Sequence, residues 1–294
     1  MLKENLDLFK GYLKAEKGYA DGTISEYSRD VERLFEYHNA TDINLSMEQI
    51  SQWLNYLITD KGVSPRTRNR KLASIRSFYK CMKKYKKIDN NPTDEIDCSK
   101  VEKKSKVTYL NLNQIQSFLN AIENYPHNTN KLRDMAIIKL FFYSGLREGE
   151  LVNLDITDLD FKVDIIDVRP EISKGNKGRQ IPLHKEAKKV ILEYLDNRDD
   201  DIPALFISTR MKRISTNTIY QIVKKYAAET RIGIKDQIHP HVLRSSFATN
   251  LYHQTKDIKT LQELLGHSDI STTQIYVKPN EQVRSNAVNS LPAF

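Results

Sequence analysis

The sequence predicts a mostly α-helical fold with a small antiparallel β-sheet, divided into an N-terminal helical domain and a larger C-terminal domain. Three observations carry this expectation. Apolar residues recur at spacings of three and four through most of the chain, which is the period of an amphipathic helix. Short apolar runs suited to strands gather about a glycine-containing turn at residues 173–178. Over residues 88–108 the helical period lapses and Asn-Pro and dense charge mark a linker. A length of 294 residues suits two domains, since one domain usually holds ~100 to 200.

In the N-terminal domain, residues 1–87, Leu6, Phe9, Tyr12 and Leu13 share one face of a first helix, and Ile24, Tyr27, Val31, Leu34 and Phe35 share one face of a second. Ser46 with Gln49 three residues on resembles a capping box and opens a third helix that buries Ile50, Trp53, Leu54 and Leu57. Ser64 can cap a fourth, Pro65 suits its first turn, and Leu72, Ile75, Phe78, Tyr79 and Met82 form its apolar stripe. Arg66, Arg68, Arg70, Lys71 and Arg76 then fall near its start and along its polar side. The domain reads as a bundle of four or five helices.

The C-terminal domain, residues 109–279, shows helices near 112–123, 131–143, 184–197, 216–229, 241–253 and 258–265. Strands are expected at 159–161, 163–168 and 180–183, joined through Ser173-Lys174-Gly175-Asn176-Lys177-Gly178. In a tail at 280–294, Val283, Ala287, Val288 and Leu291 are spaced as one apolar helical face. There is no internal repeat.

Composition narrows the function classes. A hydrophobic fraction of 39% with 15 Tyr and 10 Phe builds real cores and excludes a disordered chain. The opening Met1-Leu2-Lys3-Glu4-Asn5 leads into no long apolar run, so neither a signal peptide nor a membrane span is expected, and the cytoplasm is the expected location. Cys81 and Cys98 are too few for a disulfide framework and lack the clustered partners of a zinc site. No cofactor and no metal is expected.

Charge points to a polyanion. The chain carries 46 Lys plus Arg against 38 Asp plus Glu. The excess is mostly N-terminal, with 21 basic and 16 acidic side chains in residues 1–106. Residues 61–87 hold eleven basic side chains and no acidic one. Such a block suits a nucleic acid, because phosphate contacts release counterions and supply most nonspecific affinity; a solvated helix face is the competing reading. The 21-residue linker, spanning up to about 70 Å if extended, would let two domains grip opposite faces of a duplex.

The C-terminal domain strings together Ser144-Gly145-Leu146-Arg147-Glu148-Gly149-Glu150-Leu151, Lys174 in the glycine turn, His239-Pro240-His241-Val242-Leu243-Arg244, Leu264-Leu265-Gly266-His267, and Thr273-Gln274-Ile275-Tyr276. Singly each is weak. Their order is not: Arg244 lies one helical turn after His241, His267 follows a helix ended by Gly266, and Tyr276 comes nine residues later. This constellation resembles the tyrosine site-specific recombinases, most closely the Xer-type branch of the phage integrase family, over nearly the whole chain.

The resemblance implies a SAM-like core-binding domain followed by a catalytic domain that breaks and rejoins DNA. Arg147 and Arg244 would stabilise the nonbridging oxygens of a pentacoordinate phosphate, since a guanidinium stays charged and binds two oxygens at once. Tyr276 would attack and form a 3′-phosphotyrosine that stores the bond energy, so no ATP is needed. Lys174 would protonate the departing 5′ oxygen, with Lys177 as its rival on the same turn. His241 would bond a nonbridging oxygen and take the tyrosine proton, and His267 would donate to the phosphate. Glu150 would orient the site, with an ordinary helix ion pair as the equal alternative. The partners implied are a double-stranded core site with inverted repeats, further copies of the chain in a synaptic homo-tetramer exchanging strands through a Holliday junction, and room for an accessory or partner recombinase.

Departures from the family pattern refine this. Ser245 and Asn250 stand where relatives often carry His, and the stretch from Asn280 to Phe294 is less basic than in many housekeeping Xer proteins. With no N-terminal arm-site domain of the lambda type, the expectation is a simple recombinase acting on core sites, in dimer or cointegrate resolution or in integration of a mobile element. Two rivals remain: a type IB topoisomerase-like relaxing enzyme, opposed by the Xer-like first domain and the tail, and a catalytically silent DNA-binding regulator, opposed by the intact Arg, Lys, His, Arg, His, Tyr set.

Overall fold

In a computed structural model, which describes residues 2–101, 107–127, 129–173, 175–266, 273 and 276, the chain divides into two compact units at Lys103/Lys104. The first unit holds α1 (Leu2–Ala15), α2 (Asp21–Tyr37), α3 (Met47–Thr59) and α4 (Pro65–Lys84). Their starts follow the local chemistry. Ser46 Oγ accepts the Gln49 amide at 3.3 Å while the Gln49 side chain accepts the Ser46 amide at 2.9 Å, closing the capping box ahead of α3. Ser64 caps α4 through the Thr67 amide, and Pro65 fills the first turn, where no amide hydrogen is needed. The expected apolar stripes converge on one core in which Phe78 meets Phe9 and Phe35 edge-on, with ring centroids 5.4 and 5.7 Å apart.

Two expectations for this unit are corrected. Most of the segment read as a linker packs on the first unit: Ile96 is buried in its core, Thr93 is fully buried, and the carbonyls of Asp97 and Ser99 accept from Arg68 and Asn69 at 2.8 Å. Irregular backbone has no period to read, yet it buries well when its polar groups find partners. Likewise, Arg68 and Lys71 do not lie on the polar side of α4; both are buried. Lys71, Arg70 Nη1 and Ser74 Oγ all converge on the carboxylate of Asp30, which is 2% exposed. A buried carboxylate must be neutralised from nearby, and α4 supplies the cations.

The second unit contains α5 (Leu112–Glu123), α6 (Lys131–Ser144), α7 (Glu148–Asn153), β1 (Leu159–Asp160), β2 (Ile165–Val168), β3 (Arg179–Pro182), α8 (Lys185–Asp196), α9 (Thr216–Glu229), α10 (Pro240–Thr255) and α11 (Ile258–Leu265). The sheet runs β1-β2-β3, antiparallel throughout, with Ile166 opposite both Leu159 and Ile181, and Val168 opposite Arg179. α6 is apolar around most of its circumference because it is covered on several sides, by α8, α10 and α5 among others. The helix and strand expectations fall within one to two residues of these bounds. α7 is absent from the expected elements: six residues are too few to display a helical period. No helix among the described residues is long and apolar enough to cross a membrane.

Candidate active site

Two helices end at the site and bring backbone carbonyls to it. α6 stops at Gly145 and α11 at Gly266, both left-handed with φ of +61° and +62°. Space as well as backbone demands glycine at each: a Cβ would stand 2.2 Å from the ring of Phe247 at Gly145, and 3.0 Å from Cδ of Arg179 at Gly266. The last carbonyls of a helix lack intrahelical partners and carry the negative end of its dipole. Here guanidiniums fill that role. Arg244 donates to the carbonyl of Gly145 and, at 2.7 Å, to that of Leu265. Arg179 Nε donates to Leu264 O at 2.8 Å, and Arg147 Nη2 to Gly266 O at 3.1 Å.

Glu150, 1% exposed, sits among these cations. Arg147 is the N-cap of α7 and Glu150 its third residue, so the carboxylate accepts the Arg147 backbone amide at 2.8 Å as well as Arg147 Nη1 at 2.8 Å. Arg179 grips both carboxylate oxygens, at 3.0 and 2.8 Å. Arg244 Nη1 approaches within 4.0 Å. Burial pushes the Glu150 carboxyl up, but the hydrogen bonds and charge of Arg179, then those of Arg147, outweigh it and hold it down at about 2. The Arg147–Glu150 contact is the i,i+3 helix ion pair that stood as the alternative, and through the buried carboxylate it continues into a network with Arg179 and Arg244. Three guanidiniums face one carboxylate, so the cluster keeps an excess of positive charge. Desolvation, and then the charge of Arg147, lower the Arg244 guanidinium to about 10, still protonated at neutral pH.

His241 lies one turn before Arg244 on α10, exposed at its tip, with its ring parallel to that of His239 at 6.3 Å. The partial desolvation it does undergo, followed by the charges of Arg244, His239 and Arg147, lowers its pKa, so it is neutral at neutral pH and able to accept a proton. Tyr276 is 5% exposed, packed with Ala248, Leu261 and Leu265, and near enough to Arg244 to interact with its charge. Thus Arg147, Glu150, His241, Arg244 and Tyr276 come together. Lys174 and His267 lie outside the described residues, as does the tail expected to mediate exchange between protomers. Ser245 is buried in α10, and Asn250 Nδ2 donates to Leu110 O at 2.8 Å, so both positions serve packing. Among the described residues no group of His, Cys, Asp or Glu could hold a metal ion.

Of the basic residues expected on a nucleic acid, Arg66 is exposed. Arg68, Arg70 and Lys71 are engaged as described above, and Arg76 donates to Ile96 O. Arg66 and Lys80 mark the solvent stripe of α4. Sequence reasoning misses Arg179 altogether. Its signal is present: in the run from Arg179 to Pro182, strand alternation puts it on the same side as buried Ile181, and a charge facing inward is paired or functional.

The model of the phage integrase family matches residues 108–283, and that of the phage integrase N-terminal SAM-like domain matches residues 6–86. Tyrosine recombinase XerC of Caldanaerobacter subterraneus subsp. tengcongensis is 37% identical over 295 residues, covering 98% of this chain and 79% of that protein. The crystal structure of XerA recombinase is 28% identical, covers 100% of both chains and superposes with a TM-score of 0.55. The Tn1549 transposon integrase in complex with circular intermediate DNA shares the fold at a TM-score of 0.73, with 21% identity over 97% of this chain and 98% of that one.

Proposed function

The chain belongs to the phage integrase family and is a tyrosine recombinase; from that premise we propose that it cleaves and rejoins duplex DNA at a specific core site through a covalent 3′-phosphotyrosine at Tyr276. The observation that carries this reading is the cluster itself: Arg147 and Arg244 are fixed by helix-end carbonyls and by Glu150 with positive charge in excess, and Tyr276 lies near enough to Arg244 to interact with its charge. Held in place before substrate arrives, such donors stabilise charge developing on a phosphate without reorganising. Neutral His241 takes the tyrosine proton, Lys174 on the hairpin protonates the departing 5′ oxygen, and His267 donates to the phosphate. The chemistry conserves bond energy, so strands are exchanged between two sites by four protomers with no ATP and no metal.

The decisive experiment is incubation with a nicked suicide duplex carrying the core site, in EDTA. A 3′-linked protein–DNA adduct should accumulate, with the link mapping to Tyr276 by mass spectrometry. Adduct at another residue, or none with DNA demonstrably bound, refutes the assignment.

Exposure revises which side chains grip the duplex. Neutralising Arg66 and Lys80 to Gln should weaken binding and reduce the salt slope by ~0.9 for each phosphate no longer neutralised. Fluorescence anisotropy over a salt series reads this directly, and an unchanged slope restores the solvated-face reading. Removing Arg68 or Lys71 is the wrong test, since Arg68 holds the chain at Asp97 and Lys71 is a partner of buried Asp30.

A further inference from the structure

Arg179 ties separate parts of the site together. It stands at the start of β3, the strand that leaves the hairpin turn containing Lys174. Its Nη1 and Nη2 take the two oxygens of Glu150 at 3.0 and 2.8 Å, and its Nε takes Leu264 O at the end of α11 at 2.8 Å. Glu150 in turn fixes Arg147, through both its backbone amide and its guanidinium. The side chain of Arg179 is 8% exposed, so its donors are spent inward rather than offered to a ligand.

We propose that Arg179 is a positioning residue for strand cleavage, a clasp that locks the hairpin strand, the end of α11 and the Arg147–Glu150 pair into one geometry. It touches no reacting atom; it acts through Glu150 and through the carbonyl row at the end of α11. The reaction it serves is the recombinase reading above, on which this inference rests. Gly266 belongs to the same device: a Cβ there would press on Cδ, Cζ and Nη1 of Arg179 at 3.0 to 3.2 Å, so the glycine keeps open the space the clasp occupies.

The physical consequence is specific. Among the described residues the charged groups facing Glu150 are Arg147 from α7, Arg179 from β3 and Arg244 from α10. Without Arg179, burial still pushes the carboxyl up while the largest opposing influence is gone. A carboxyl that takes up a proton releases Arg147, and displacement of a catalytic group by ~1 Å can cost up to ~10²-fold in rate. Cleavage should therefore become sensitive to acid in a pH range where the native enzyme's Glu150 does not titrate.

The test compares the full chain with its R179K and R179Q variants. Single-turnover cleavage of the suicide duplex is followed between about pH 5 and 8, beside half-site affinity, a urea melt and 13C NMR of the glutamate carboxyls. We expect R179Q to bind a half-site normally and melt cooperatively, yet cleave 10- to 100-fold more slowly, on the scale of a misplaced catalytic group. Its loss should deepen toward low pH, with one carboxyl signal titrating above about pH 4 that is silent in the native protein. R179K should recover part of the rate, because it keeps the charge and loses the two-oxygen grip. Native rate and pH profile in R179Q overturn the proposal, as does a parallel collapse of melt, affinity and rate that R179K leaves uncorrected. If native protein itself forms no adduct, the recombinase reading fails, whereas the Glu150 signal still decides whether Arg179 governs that carboxyl.

Discussion

Replacing Tyr276 by phenylalanine is expected to abolish the covalent adduct and all strand exchange while leaving DNA binding and folding as they were. The ring is 5% exposed and packs against Ala248, Leu261 and Leu265. Phenylalanine fills the same volume, so the substitution removes one oxygen and no packing surface. Deleting the nucleophile of a set that acts as a unit costs on the order of 10⁶-fold, which in a gel-shift or denaturing-gel assay reads as complete loss. Binding should stay within a factor of about two, because the phosphate contacts that supply affinity are made elsewhere. A Phe variant that still captures DNA covalently would remove Tyr276 from the mechanism.

Second in expected size is Arg244. Exchange for glutamine deletes a fixed cation of the proposed site, and on that proposal loss of one donor aimed at developing charge costs ~10²- to 10³-fold in rate. It also leaves the carbonyl of Gly145 or of Leu265 without its donor. A buried polar group left unpaired costs ~1 to 3 kcal/mol, partly offset by relief of the burial of a charge near Arg147. The Arg244→Lys variant separates the two effects. Its ammonium can serve a carbonyl and preserve charge but cannot hold two oxygens in a plane, so stability should recover more than rate. Single-turnover cleavage and a urea melt on the same three proteins give both numbers. Cleavage by the folded glutamine variant at the native rate would show that Arg244 only holds helix ends together.

These predictions draw unequally on sequence and structure. Amphipathic period is strong enough in the first unit to assign α1 to α4 and most of their apolar stripes, though it misses buried Cys81, because a helix that buries one face must repeat that face every three or four residues. In the second unit the local spacing behind the proposed site is legible: one helical turn separates His241 from Arg244, and the glycine after Leu265 marks the end of α11. The linker expectation fails for the opposite reason. Residues 88–101 bury Ile96 and Thr93 through irregular backbone, and irregular burial leaves no period.

By itself the sequence determined what is local: the helices and their caps, the short strands and the glycines at helix ends. Tertiary structure alone decided which charges are spent. Eleven basic residues in 61–87 look equivalent in the chain, yet Asp30, far away in sequence, buries Lys71 and engages Arg70, while Arg66 stays in water. Arg179 and Glu150, 29 residues apart, become a two-oxygen clasp only when β3 is laid beside α7 and α11. A charge in a sequence carries no record of its partner, because pairing depends on distance and desolvation, and both are set by the packing of elements remote along the chain.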